Sequence, residues 1–172
     1  MAKLVTFFIA LCLACSVYGE EQWAVGHVKV QGKPVVYTFV SALPDAKVVA
    51  NMPLRTEITW EYNGAENNGM PSEAVSRSMR NFEEVFATMF GQGISHFDAY
   101  TVTGNSLKKI VLYVTERDEF VRGLNEVLAD SPIYPLEITF VEDPNWSGLV
   151  DVQREFGVVE DATPERQVIE IR

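Results

Sequence analysis

Residues 54–62 read LRTEITWEY, and their alternation governs the reading of everything around them. Successive side chains of an extended chain point to opposite sides. Leu54, Thr56, Ile58, Trp60 and Tyr62 therefore share one face, and Arg55, Glu57, Thr59 and Glu61 share the other. A period of two sustained over this length predicts a half-buried β-strand.

Downstream the period changes. In SEAVSRSMRNFEEVFATMFG (72–91), Val75, Met79, Phe82, Phe86 and Met89 step by four and three. Val85 and Phe90 widen the stripe, and Arg77, Arg80, Glu83 and Glu84 lie mostly opposite, which predicts an amphipathic helix. A Met and Phe stripe of this kind is core packing rather than a cofactor box. Ser72 is the N-cap, Glu73 sets negative charge in the first turn, and Pro71 stiffens the approach. Val75 stands where a capping box would carry Glu or Gln, so the cap is single-sided. Gly91 and Gly93 stop the helix. Helix capping does not require Asn67, Asn68 and Gly69, and these three read as a turn.

SHFDAYTVT (95–103) and SLKKIVLYVT (106–115), joined at Gly104-Asn105, predict a hairpin. ERDEFVRGLNEVLAD (116–130) returns to helical spacing through Phe120, Leu124, Val127 and Leu128, with Pro132 beyond its end. PLEITFVE (135–142) alternates as a strand, and DPNWSGLVDVQREFG (143–157) reads as a turn leading into a short helix. RQVIEIR (166–172) reads as an edge strand. Upstream, QWAVGHVKV (22–30) and VVYTFVS (35–41) flank QGKP (31–34), another hairpin signal. The stretch between, with Pro44, Asp45 and Pro53, reads as irregular.

From Leu54 onward the order is strand, helix, strand, strand, helix, strand. That is the split βαβ or ferredoxin-like α+β unit, here extended by an N-terminal β-hairpin. Right-handed crossovers put both helices on one face of an antiparallel sheet. The other face is expected to be open, lined by Arg55, Glu57, Thr59, Glu61 and Glu137. Composition does not shift along the chain and no linker interrupts it, so one domain is expected over residues 20–156, with a tail at 157–172.

The first residues, MAKLVTFFIALCLACSVYGEEQW, have the layout of a secretory signal peptide: Lys3, an apolar run from Leu4 to Cys15, then small residues before Glu20. The run is shorter than the ~20 residues that cross a hydrocarbon core. Val17-Tyr18-Gly19 fits ordinary cleavage after residue 19 and gives a periplasmic protein. Leu13-Ala14-Cys15 offers the alternative, a lipoprotein acylated at Cys15, but Cys12 stands where such a site usually has leucine. The first pattern is the better one. It removes both cysteines of the chain, and with them disulfides, a thiol nucleophile and thiolate ligands.

The chain carries 14 Lys and Arg against 24 Asp and Glu, a formal charge of −10. Phosphate binding needs clustered basic residues, so nucleic acid is not an expected partner. GxSxG and SxxK nucleophile motifs are absent, and Gly91-Gln92-Gly93 lacks the remainder of a phosphate loop. His96 and Asp98, two apart on a predicted strand, share a face, and with His27 could form an acid/base or metal pair. No ligand spacing supports a metal, and no cofactor is expected. Glu57 and Glu61 lie about 13 Å apart along a strand, beyond the usual separation of a glycosidase carboxylate pair.

Trp23, Gly32-Lys33-Pro34, NGMPS (68–72) opening a helix that carries Phe82-Glu83-Glu84, Tyr100-Thr101-Val102-Thr103-Gly104 and Asp143-Pro144-Asn145-Trp146 together resemble the bacterial DUF695 family, over roughly Gln22 to Trp146. The resemblance implies little about activity, because that family is named for its unknown function. Some of its members look like partners of, or fusions to, domains similar to a ribonuclease-regulating family that acts by binding. The export signal here departs from a cytoplasmic target of that kind.

The expected function is that of an exported, non-enzymatic binding or protein-interaction module. Its ligand or partner contacts are expected from Arg55, Glu57, Glu61, Asn67, Asn68, Asp143 and Trp146, and a homodimer is expected to pair through the open sheet face. The alternative is a metal-dependent or acid/base hydrolase centred on His96 and Asp98.

Overall fold

The computed structural model describes residues 22–159. The expected leader and the strand expected at 166–172 lie outside the described residues.

Strands β1 (Trp23–Val30) and β2 (Lys33–Val40) form the N-terminal hairpin. Its turn is Gln31-Gly32, both at positive φ, the conformation that matches the twist of a tight hairpin. Pro34 is not part of the turn: it lies in β2 opposite Lys29. The stretch read as irregular holds a short helix, α1 (Ala46–Asn51), which places Val48 and Val49 against the sheet. Strand β3 (Leu54–Glu61) follows and has the alternation expected of it: Thr56, Ile58 and Trp60 are buried, and the residues between them less so.

Helix α2 (Glu73–Phe86) starts where Ser72 Oγ accepts the Val75 amide at 3.3 Å. The α-helix ends earlier than the apolar stripe suggests, and a 3-10 segment (Ala87–Gln92) carries Met89 into the core. The Phe90 side chain lies outside the described residues. Strands β4 (His96–Gly104) and β5 (Leu107–Val114) form the second hairpin, turning at Asn105-Ser106. Helix α3 (Arg117–Leu128), strand β6 (Leu136–Glu142) and helix α4 (Ser147–Glu155) complete the described chain.

The six strands form one antiparallel sheet in the order β1-β2-β4-β5-β3-β6. Together with four α-helices among the described residues, this makes a mixed α+β architecture. One face packs Ile58, Trp60, Ile110, Leu112 and Val114 against Met79, Phe82 and Phe86 of α2 and Phe120 and Leu124 of α3. Phe82 lies within aromatic contact of Trp60, Phe86 and Tyr134, so aromatic area dominates this layer.

The second face is not open. Phe39, Ala99, Tyr100, Val111 and Tyr113 pack against Trp146, Leu149, Val152 and Phe156 of the α4 region and against Val48, Val49 and Met52 of the α1 region. The expectation of a solvated face is corrected here; the homodimer was expected to pair through that face. The signal was present in β5: Ile110–Val114 is a continuous apolar run without alternation, and all five residues are buried, as in a strand covered on both sides. Along β6 this face keeps a solvated character, with Glu137, Thr139 and Val141 exposed, as is Glu61 at the end of β3.

Candidate functional site

Asp143 follows β6 and begins the turn Asp143-Pro144-Asn145-Trp146. The Trp146 amide donates to the Asp143 carbonyl at 3.0 Å, and Trp146 takes a left-handed conformation with φ 54°. This aims the Asp143 carboxylate back at the helix it precedes. Oδ1 accepts the Ser147 amide and hydroxyl, each at 2.7 Å, and Oδ2 accepts the Gly148 amide at 2.9 Å. Two of the amides that a helix start leaves without intrahelical partners are thereby satisfied, and the negative charge sits at the positive helix end. Tyr113 donates its hydroxyl to Oδ2 at 2.8 Å, and Arg55 Nη1 lies 3.5 Å from the same oxygen. Burial alone would raise the Asp143 carboxyl; the donors on Gly148, Ser147 and Tyr113 outweigh it and hold the group below its ordinary range.

Trp146 locks the other side. Its indole stacks on Tyr113, centroids 4.0 Å apart and planes within 6°, and its Nε1 donates to the Met52 carbonyl at 2.9 Å. With 0% exposure, Trp146 is an anchor and not a contact surface.

This anchorage fixes Arg55. In the sheet register Arg55 lies opposite Tyr113, which brings its guanidinium to the start of α4. A Cβ on Gly148 would come within 2.6 Å of Nη1, so the absence of a side chain there makes the room Arg55 occupies. Its Nε lies 3.2 Å from Glu57 Oε1, and Glu57 Oε2 accepts from Lys109 Nζ at 2.6 Å. The result is a chain of charges, Lys109 to Glu57 to Arg55 to Asp143, along the half-buried floor of a cleft.

The cleft has a volume of about 540 Å3. Arg55, Glu57 and Tyr100 form its floor, Val28–Val30 and Tyr37 one wall, and Asp151, Val152 and Glu155 of α4 the other. Tyr100 reaches it through a β-bulge between Asp98 and Tyr100: Phe97 pairs with Tyr113, Asp98 with Leu112, and then Tyr100 with Val111. The extra residue, Ala99, reverses the alternation and turns Tyr100 onto the cleft face. Burial, reinforced by the negative charge of Glu57, pushes the Tyr100 phenol up to about 12, so at neutral pH it is a protonated donor and acceptor. Guanidinium, carboxylates and phenols arranged this way can donate hydrogen bonds to, and accept them from, a polar group placed between them. Among the described residues that line the cleft there is no serine, cysteine or histidine.

Four of the residues singled out from sequence are therefore brought together: Arg55 and Glu57 in the cleft floor, with Asp143 and Trp146 beneath them. Tyr100, Tyr37 and Lys109 went unrecognised. Tyr100 was hidden by the bulge, and the others had no local signal.

Glu61, Asn67 and Asn68 lie elsewhere. Glu61 is six residues from Arg55 along β3, about 20 Å at ~3.3 Å per residue. Asn67 closes a 3-10 turn (Ala65–Asn67), and Asn68 follows it in the left-handed region. Gly69, at φ 85°, accepts the Ser106 amide at 2.8 Å and the Tyr62 hydroxyl at 3.0 Å. A Cβ on Gly69 would lie 3.0 Å from Asn105 Cα and from Lys33 Cδ, so this segment clamps onto the β4–β5 turn.

His96 and Asp98 do share a face, but it is the one beneath α2 and its 3-10 extension. His96 is buried, its Nδ1 lies 3.1 Å from the Ile94 carbonyl, and its ring centroid is 5.4 Å from that of Phe86. His27 does not join them. Through Val36 it registers with Thr103, five residues beyond Asp98 and about 16 Å along the sheet. Among the described residues, no group of three or more His, Cys, Asp and Glu side chains is placed to hold a metal ion, and no helix is long and apolar enough to cross a membrane.

Fold and cleft together define an α+β protein whose antiparallel sheet carries helices on both faces and a charged, tyrosine-lined cleft beside α4. A family model described as a family of unknown function, DUF695, matches residues 21–152, and the chain belongs to that family. No curated protein and no solved structure matches the chain.

Proposed function

We propose that the protein is an exported binding module, acting in the periplasm without chemistry of its own, and that it recognises a polar ligand in the Arg55–Glu57–Tyr100 cleft. One observation carries this reading: the Arg55 guanidinium is held by Glu57, by Asp143 and by the helix start at Gly148 before any ligand arrives. A side chain fixed in advance loses little conformational freedom on binding, which is how a recognition site gains affinity. Export rests on the leader pattern, and ordinary cleavage before Glu20 is preferred to a lipid anchor at Cys15. The strand order β4-β5-β3-β6, with α2 and α3 packed on one face, supports reading this part of the sheet as ferredoxin-like, with the β1–β2 hairpin added at its β4 edge.

The test uses chain beginning at Glu20, purified from periplasm and examined by native mass spectrometry for retained small molecules or proteins, followed by thermal-shift titration with whatever is found. A ligand at one hundred times its Kd stabilises by about 2.7 kcal/mol. Tyr100→Phe, which keeps the ring and loses the hydroxyl, and Glu57→Gln are expected to reduce that shift by more than half. A retained ligand whose stabilisation is indifferent to both substitutions would move the site elsewhere. A strictly monomeric protein that retains nothing would overturn the binding reading.

A further inference from the structure

On the opposite face of the sheet, between the α2 layer and the β1–β2–β4 end, lies a second cavity of about 190 Å3. Phe86, Ala87 and Ile110 give it an apolar wall, and Trp23, 44% exposed, contributes its indole from the edge strand. Two carboxylates border it. Glu83 is already engaged, since its Oε1 is paired with Lys108 Nζ. Asp98 differs: its Oδ1 is buried and no hydrogen-bond donor reaches it. The charge that acts on Asp98 is that of its neighbour His96.

A carboxylate oxygen removed from water is costly unless a donor meets it, and buried acceptors left without one are rare. Here the oxygen belongs to a residue that lines a mostly apolar cavity, so a cation held at the cavity side of the same carboxylate can compensate its charge. The donor best matched to a lone carboxylate is a cation, and aromatic faces beside it add attraction for the same charge. Phe86, Ala87 and Trp23 offer the rest of such a ligand apolar contact. We propose that this cavity binds a small primary amine with an apolar tail, its ammonium directed to Asp98 and its tail to Phe86, Ala87 and Trp23.

Tyr100 borders both this cavity and the Arg55 cleft, but Asp98 and Trp23 belong to this one alone, and either reading can fail without the other. Burial pushes the Asp98 carboxyl up, against the pull of His96. An arriving ammonium favours the ionised carboxylate, which fits the site to a cation and not to a neutral isostere.

The experiment is calorimetric titration of the full mature chain with phenethylamine and, separately, with 2-phenylethanol, which has the same shape and no charge. The amine is expected to bind at least tenfold more tightly. Asp98→Asn is expected to abolish that preference and Trp23→Ala to weaken the amine at least fivefold. The tripeptide Phe-Gly-Gly distinguishes the source of the amine: binding within a fewfold of phenethylamine assigns a peptide N-terminus, and much weaker binding assigns a free amine. Circular dichroism and a melting curve establish that each variant is folded. Equal binding of amine and alcohol to the unmodified protein overturns the proposal and needs no variant, and so does an amine preference that survives in folded Asp98→Asn.

Discussion

Replacing Asp143 by Asn keeps the volume of the side chain and exposes how much of the second layer hangs on its charge. In the native protein Oδ1 accepts from two groups of Ser147, and Oδ2 from the Gly148 amide and the Tyr113 hydroxyl, with Arg55 beside it. An amide presents one oxygen and one NH2. Whichever way it turns, one set of donors faces another donor. Rotation of the Ser147 or Tyr113 hydroxyl relieves part of this, but a backbone amide cannot turn away. Each buried donor left unsatisfied costs about 1–3 kcal/mol, and the half-buried Arg55 loses one of its counter-charges. A loss of ~3 kcal/mol at pH 7 is expected, about 6–12 °C in Tm for a chain of this size. The pH dependence is a second, sharper readout. Asp143 is held below its ordinary range in the folded protein, so its contribution is fully present above the unfolded value of about 3.9 and is lost as pH falls through the folded value. The gap in stability between native protein and Asp143→Asn, measured by urea denaturation, is therefore expected to close progressively below about pH 4. A gap under ~1 kcal/mol at neutral pH, or one that stays constant to about pH 2.5, would refute this account of the Asp143 cap.

Three further perturbations probe neighbouring contacts. Gly148→Ala places a methyl where the Arg55 guanidinium lies, and because Glu57 and Asp143 hold that group it cannot swing aside freely; a loss of ~1–3 kcal/mol in chemical denaturation is expected, with reduced ligand affinity. Trp146→Ala removes a fully buried indole with its stack on Tyr113 and its hydrogen bond to Met52, and is expected to cost about 3–5 kcal/mol, whereas a near-neutral result would mean that α4 is not seated as described. Ser72→Ala removes the single-sided cap of α2 and is expected to cost about 1 kcal/mol by thermal melting, with Ser72→Gly milder.

Much of the layer beneath α2 and α3 is legible in residues 54–142, because it is built from local periodicities. The β3 alternation and the four-and-three stepping of α2 follow from backbone geometry, and each marks its own apolar face without reference to the rest of the chain. The second layer carries weaker signals. Helix α1 is only six residues long and sits between prolines, and α4 reads as a turn with a short helix. Residues such as Arg55 and Glu57 look solvated when their strand is considered alone. They became cleft floor only because β5, apolar without alternation, required a cover on both sides.

The sequence by itself determined the strands, the two main helices, the two hairpins and the role of Ser72 at a helix start, since all of these rest on contacts between residues close in the chain. Tertiary structure alone decided what the functional candidates became. It joined Arg55 to Asp143 across 88 positions, and through the bulge at Ala99 it turned Tyr100 from the face of His96 and Asp98 to the face of Arg55. Register and bulges are settled by the mutual burial of whole layers, and a one-residue slip in a strand reverses every side chain beyond it.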